Sequence, residues 1–276
     1  MTLLPSGRPR LQDKVAIITG AGSSGPGMGT GKASSILFAR EGAKVLLVDR
    51  NPQAAEETLA VIHEEGGEGS VIAADVTSAA DCEAIVDAAV ERYGGLHILF
   101  NNVGITGPGT PTDVEESVWD NVLDVNLKSM MLTTKYAAPK MIDSGGGSII
   151  NMSSIAGVRA GSGLASIPYS ASKSGVIGMS ETMAVHLGRD NIRVNVIAPG
   201  HIYTPMVAGA MPDRTRELRR KAGPLGVEGN GWDIAYAALF LASDESRWVS
   251  GVVLPVDAGL LAATPLAVYQ NIREGD

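Results

Sequence analysis

One cysteine, Cys82, is all that the 276 residues contain, so an intrachain disulfide and a cysteine-built metal site are both excluded. The histidines His63, His97, His186 and His201 show no metal-ligand spacing, and no metal is expected. No apolar run approaches the length of a membrane span, and the first ten residues lack the long apolar centre of a signal peptide. The expected location is therefore the cytoplasm. Basic residues are outnumbered, 22 Lys and Arg against 30 Asp and Glu, for a formal charge of -8. That balance argues against general affinity for nucleic acid or anionic membranes and leaves a small molecule as the expected partner. Internal repeats and low-complexity segments are also lacking.

What is present is ordinary for a globular protein, 45% hydrophobic and 19% charged. The length suits one α/β domain with a large core. Apolar strands at 14–19, 44–49, 70–74, 96–100, 148–152, 192–197 and 252–256 alternate with helical patterns. The helices are expected from 31 to 41, from Pro52 to the Gly66-Gly67 stop, at 78–93, 114–138, 169–187 and 232–241. Alternation of this kind predicts a doubly wound parallel seven-stranded sheet with helices on both faces. A loose arm (1–13), a domain (14–259) and a tail (260–276) are the expected divisions. The irregular insertions 105–113, 155–168 and 201–231 each follow a strand's carboxyl end, where such sheets bind ligands.

The densest glycine stretch, 18–32, follows the first strand and leads into the first helix. Gly20-x-Gly22-x-x-Gly25 matches the dinucleotide fingerprint, a pattern that a flexible surface loop can also show. If Gly25 closed it, Pro26-Gly27-Met28-Gly29 would have to form the first helical turn, which glycine propagates poorly. The helix is therefore expected to start near Thr30 to Lys32, placing Gly20, Gly29, Thr30 and Gly31 at the phosphates. Residues 25–28 then become an extension that could close over a pyrophosphate. A nucleoside-triphosphatase loop would need glycine at Pro26 and Ser or Thr at Ala33. Asp49 closes the second strand a little under twenty residues later, where an acid takes the adenine-ribose hydroxyls and repels a 2′-phosphate. NAD is thereby favoured over NADP. A turn cap is the alternative role for Asp49, and Arg50 beside it could serve a phosphate.

Ser153-Ser154 ends the fifth strand, and Tyr169-Ser170-Ala171-Ser172-Lys173 opens a helix. Tyr169 and Lys173 are one turn apart on one face, and an ammonium near a phenol lowers its pKa from about 10. Taken alone, two exposed helix residues would give the same pattern.

With its other motifs, the chain resembles the short-chain dehydrogenase/reductase family over nearly its whole length. The matching series runs from Thr19-Gly20 and Gly29-Thr30-Gly31 through Asp75-Val76, Asn101-Asn102-Val103-Gly104 and Asn126. It continues with Ser154 before Gly157, Tyr169 with Lys173, Asn195 to Gly200, and Val256-Asp257-Ala258-Gly259. The resemblance implies a single-domain Rossmann fold and an NAD-dependent secondary alcohol dehydrogenase or carbonyl reductase. Tyr169 would be the general acid/base, Ser154 would polarise the substrate oxygen, Lys173 would bind the nicotinamide ribose, and Asn126 would anchor a relay water. Asp75 and Val76 would contact adenine, and Asn102 and Gly104 the adenosine ribose. Pro199, Gly200, the backbone of Ile202, and Thr204 would line the nicotinamide. The family pattern selects Ser154 over Ser153 by its distance to Gly157. A homotetramer is implied, built on the helices at 114–138 and 169–187.

Two departures stand out: the glycine loop is about five residues longer than the usual form, and the segment from Ser154 to Tyr169 is slightly long. Ile155, Val158, Leu164, Ile167, Met206, Val207 and Met211 would give an apolar pocket or simply pack a lid. Arg159 and the basic run 214–221 would suit an acidic substrate or merely face solvent. His201 is expected at the pocket rim. The tail covers either a neighbouring subunit or its own domain. Two other functions share these motifs: an NAD-binding regulatory relative, and an isomerase or dehydratase that uses bound NAD transiently.

Overall fold

The computed structural model describes residues 9–160, 166–209 and 211–273; Leu164 lies outside them. Seven parallel strands form one sheet in the order β3-β2-β1-β4-β5-β6-β7. They are β1 (Val15–Thr19), β2 (Lys44–Asp49), β3 (Glu68–Ala73), β4 (Ile98–Asn101), β5 (Gly147–Met152), β6 (Ile192–Pro199) and β7 (Val253–Val256). The central strands read as continuous apolar runs because helices cover both faces. In β1, Ala16 and Ile18 enter one core while Val15 and Ile17 enter the other. Val45 and Leu47 in β2 likewise oppose Leu46 and Val48.

On the first face lie α1 (Thr30–Arg40) and α9 (Gly231–Ala242), with the Phe38 and Phe100 rings tilted against each other, their centroids 6.4 Å apart. The second face is covered by α3 (Ala79–Tyr93) and α5 (Ser129–Asp143), which bury Ile85, Ala89, Ala137 and Met141 against Leu99 and Ile149. Helix starts follow local chemistry. Gly29 is the N-cap of α1, Pro52 sits in the first turn of α2 (Pro52–Glu64), and Ser78 accepts the Asp81 N–H ahead of α3. Asn230 and Asp233 form a reciprocal capping box at α9.

Two helices differ from expectation. The pattern read as one helix over 114–138 is α4 (Glu116–Leu123), a π-helical turn at Asp124–Lys128, and α5. The wider turn carries Asn126, whose amide is bonded to Ile105 in the loop after β4 and to Ser172, and such turns mark functional sites. Helix α6 (Ile167–Leu187) begins before Tyr169, because Pro168 occupies a first-turn position where its missing N–H is not needed. Three further helices, α7 (Pro205–Ala208), α8 (Asp213–Ala222) and α10 (Pro265–Arg273), fill the late insertion and the tail. α10 packs on α8 and buries Val268, so the tail covers its own chain.

A polar network ties the sheet's centre to the helices. Asn101 donates to Asn151 at 2.8 Å and accepts from Thr133 at 2.7 Å, while Asn151 donates to Ser180 at 2.9 Å. All four are buried and bonded, so the network specifies α5 and α6 without leaving an orphaned group. Among the described residues, no helix is long and apolar enough to cross a membrane.

Candidate active site

The strand order reverses between β1 and β4, which opens a crevice at the carboxyl ends of the strands. Gly20 turns there with φ +66°. A Cβ on Gly31 would stand 1.9 Å from the Gly20 carbonyl oxygen, so only glycine lets the start of α1 approach the loop this closely. Asn102 clamps the two: its Nδ2 donates to the Thr19 and Gly20 carbonyls, each at 3.1 Å, and its Oδ1 accepts from Thr30 Oγ1 at 2.6 Å. Gly29 provides no side-chain cap, so the first N–H groups of α1 face the cleft, the arrangement that receives a phosphate. The cleft encloses about 620 Å³ and runs from Gly20 and Gly31 past Asp49, Asp75 and Gly104 to Thr204.

Asp49 stands at the end of β2 with both oxygens engaged, Oδ2 by the Gly22 N–H at 3.0 Å and Oδ1 by the Asn51 N–H at 2.9 Å. It thus caps the turn while lining the cleft. Gly22, absent from the expected phosphate set, is required here too: a Cβ would stand 2.6 Å from Ala54 Cβ. Asp75 accepts from the Thr77 N–H at 2.9 Å and the Thr77 hydroxyl at 2.7 Å, and these bonds hold its pKa below the ordinary value. Val76 is buried beside it and lines the same wall.

At the end of β5 the paired serines separate. Ser153 is buried and donates to the Lys173 carbonyl at 2.7 Å, which fixes α6 against the strand. Ser154 accepts the Ala156 N–H at 3.1 Å and is hydrogen-bonded to the Tyr169 phenol. Burial raises the Tyr169 pKa, while the Ser154 bond and then the charge of Arg219 draw it down. Lys173 is 2% exposed. Its Nζ donates to the Met152 carbonyl at 2.8 Å and lies 5.8 Å from the centre of the Tyr169 ring. Burial lowers its pKa to about 8. A Cβ on Gly104 would come within 3.2 Å of that ammonium and 3.5 Å of Asn126 Oδ1, so glycine keeps open the space they share. Asn126 accepts from the Ile105 N–H at 2.7 Å and donates to the Ile105 carbonyl at 2.9 Å and to Ser172 at 3.1 Å.

The far wall follows β6. At its end stand Pro199 and Gly200; the Gly200 N–H donates to the Val256 carbonyl at 2.9 Å, and a Cβ there would lie 2.6 Å from Asp257 Cα. Ile202 bridges Gly229, and its N–H turns back to the Gly200 carbonyl. Thr204 is the N-cap residue of α7, with no cap bond from its hydroxyl, and lines the cleft with Pro205 and Met206. The extension faces this wall: a Cβ on Gly27 would meet Pro205 at 3.4 Å.

The family described as enoyl-(acyl carrier protein) reductase matches residues 25–261. The chain is 40% identical to the 3-oxoacyl-(acyl-carrier-protein) reductase FabG of Thermotoga maritima over 252 residues, 91% of this chain and 99% of that protein. A structure assigned to the short-chain dehydrogenases/reductases, from Burkholderia xenovorans, superposes with a TM-score of 0.88 at 42% identity, covering 93% and 99% of the two chains. This chain is a member of the short-chain dehydrogenase/reductase family.

The carveol dehydrogenase of Mycobacterium avium, solved in complex with NAD, is likewise similar, with a TM-score of 0.85 at 32% identity over 92% of this chain and 100% of that one. Short-chain dehydrogenases/reductases are oxidoreductases that bind a nicotinamide cofactor, and this chain carries the glycine cradle such a dinucleotide needs. Among the described residues no cluster of His, Cys, Asp or Glu could hold a metal ion. The basic run resolves differently from a uniformly solvated face. Arg216 stacks 3.7 Å from the centre of the Tyr203 ring and pairs with Glu228, Arg220 pairs with Glu217, and Arg219 turns inward. Its inward course was not legible, because five cations in one short helix look alike in a charge pattern.

Proposed function

We propose that this short-chain dehydrogenase/reductase interconverts a secondary alcohol and a ketone with NAD. The observation that carries the reading is the Ser154–Tyr169 hydrogen bond near a buried, cationic Lys173 that lies beside Gly104 of the cleft wall. In the reducing direction the Ser154 hydroxyl and the Tyr169 phenol hold the carbonyl oxygen, and the phenol delivers the proton to that oxygen; in the oxidising direction it removes it. Bound nicotinamide supplies or accepts the hydride. Lys173 binds the nicotinamide ribose, and its charge favours the phenolate. Asn126, fixed by the π-helical turn, positions a water that returns the proton to solvent through the space beside Gly104.

The remaining residues hold the cofactor. Gly20, Gly29, Thr30 and Gly31 receive the pyrophosphate at the start of α1, and Asp75, Val76, Asn102 and Gly104 line the adenosine. Pro199, Gly200, Ile202 and Thr204 hold the carboxamide end. Asp49 selects NAD over NADP by placing a carboxylate where a 2′-phosphate would lie. Similarity to an NAD complex of a carveol dehydrogenase supports the cofactor, and similarity to a 3-oxoacyl reductase supports carbonyl chemistry. A homotetramer in the cytoplasm completes the proposal. NADH formation over a panel of structurally diverse alcohols, with Tyr169→Phe as control, tests it. Tight NADH binding without turnover would favour a regulatory role, and conversion without stoichiometric NADH release would favour an isomerase or dehydratase.

A further inference from the structure

Helix α8 buries no residue, and its one large apolar side chain, Leu218, is exposed. Burial of an apolar face, which fixes most surface helices, therefore does not fix this one. Its arginines do. Arg216 and Arg219 stand three residues apart on one helix face, and both reach the segment that follows β6. The Arg216 guanidinium stacks 3.7 Å from the centre of the Tyr203 ring and forks onto Glu228, Nε to Oε1 at 2.7 Å and Nη2 to Oε2 at 2.5 Å. Arg219 Nη2 adds a longer bond, 3.4 Å, to the Ile202 carbonyl. Glu228 and Tyr203 are also joined through the backbone. Gly229, next to Glu228, accepts the Tyr203 N–H at 2.7 Å and bridges Ile202. A Cβ on Gly229 would stand 3.0 Å from Ile202 Cγ2, so the two segments lie in close contact. Arg216, Glu228, Gly229 and Tyr203 thus close a ring of contacts around the exit of β6.

Half-exposed ion pairs contribute little to stability, but a two-pronged arginine that also covers an aromatic face fixes geometry, because only one placement makes every contact. Its neighbours give that geometry a use. Tyr203 stands between Ile202 and Thr204, and Thr204 is buried, lines the dinucleotide cleft and spends no cap bond from its hydroxyl. We propose that Arg216 is a positioning residue for the nicotinamide end of the cofactor. Through Tyr203 and Glu228 it holds Ile202 and Thr204 where they meet the carboxamide, and it ties α8 to that end of the cleft. The proposal rests on the reading of residues 202–204 as the carboxamide site and adds groups that touch neither cofactor nor substrate. At the other end, Asp49 and Asp75 are bonded within their own turns and Asn102 to the glycine loop, so the clasp acts on one half of the dinucleotide.

The test is equilibrium binding, by calorimetry, of NADH and of ADP-ribose, which keeps the adenosine and the diphosphate but has no nicotinamide. Wild type is expected to bind NADH the more tightly. Arg216→Met and Tyr203→Ala should each weaken NADH roughly tenfold while changing ADP-ribose by about twofold or less, and the retained ADP-ribose binding shows that each variant is folded. Glu228→Gln should fall between. Tyr203→Phe keeps the ring under the guanidinium and should restore NADH affinity to within about twofold of wild type. Equal losses on both ligands, or no loss on either, would overturn the clasp and leave the cofactor reading standing. A wild type that binds ADP-ribose as tightly as NADH would overturn the placing of the carboxamide at 202–204. Failure of wild type to bind either ligand would overturn the cofactor reading itself, and in both of these cases the inference falls with it.

Discussion

The Lys173 ammonium donates a 2.8 Å hydrogen bond to the Met152 carbonyl, joining α6 to the end of β5 from inside the protein. The charge is almost entirely removed from water, and its pKa falls from 10.5 to about 8 as a result. This relationship stabilises the position of the group and penalises its charge.

A pH dependence follows. Below about pH 8 Lys173 is charged in the folded and unfolded states alike, and the full burial penalty, on the order of 3 kcal/mol, is present. Between about 8 and 10.5 the unfolded chain binds the proton and the folded one does not, so stability gains with rising pH. Urea unfolding of wild type and Lys173→Met at matched pH should therefore show the difference moving in favour of wild type across that window. Parallel curves would mean that the ammonium is not desolvated.

In the proposed reaction Tyr169 carries the proton, and Tyr169→Phe removes its hydroxyl while keeping the ring. Turnover should drop by roughly 10²- to 10⁴-fold, with NADH affinity nearly unchanged. A variant retaining most of its kcat would transfer the acid/base role elsewhere.

Two glycine substitutions should act in opposite directions. In Gly31→Ala the new methyl meets the Gly20 carbonyl oxygen and Asn102 Nδ2, so stability should fall by about 1–3 kcal/mol or more and NAD binding should be lost. Gly188 has an ordinary helical backbone, φ -63°, and nothing within 4 Å of an added Cβ. Gly188→Ala should stabilise the protein by about 0.4–1 kcal/mol, readable as a raised melting temperature at unchanged activity.

Asp49 supports the turn and lines the cleft. Asp49→Ser is expected to weaken NAD and improve NADP, moving the ratio of their kcat/KM values by about tenfold or more, because a repelling carboxylate is lost beside Arg50. Loss of its bonds to Gly22 and Asn51 should also lower stability by roughly 0.5–2 kcal/mol. Unchanged cofactor preference would leave Asp49 a cap alone.

Much of this molecule is written locally. Strands from β1 to β7 show as apolar runs, helices as periodic patterns bounded by Pro52, Gly66 or Ser78, and a start of α1 near Thr30 to Lys32 follows from how poorly glycine continues a helix. The fold class and the ordered motif series were therefore legible in the chain, since each depends on neighbours within a turn or a strand. The tertiary structure decided matters that depend on residues distant in sequence. Ser153 and Ser154 are adjacent, but one bonds the Lys173 carbonyl and the other the Tyr169 phenol. Asn126 sits in a π-helical turn because its amide is tied to Ile105 and Ser172. Gly22 is needed because α2 presses on it, and Arg219 turns inward while Arg216 and Arg220 find carboxylates. Helical period and motif spacing specify which faces and which residue types occur. Only the approach of distant backbone and the pairing of buried polar groups determine which of two like residues meets the site.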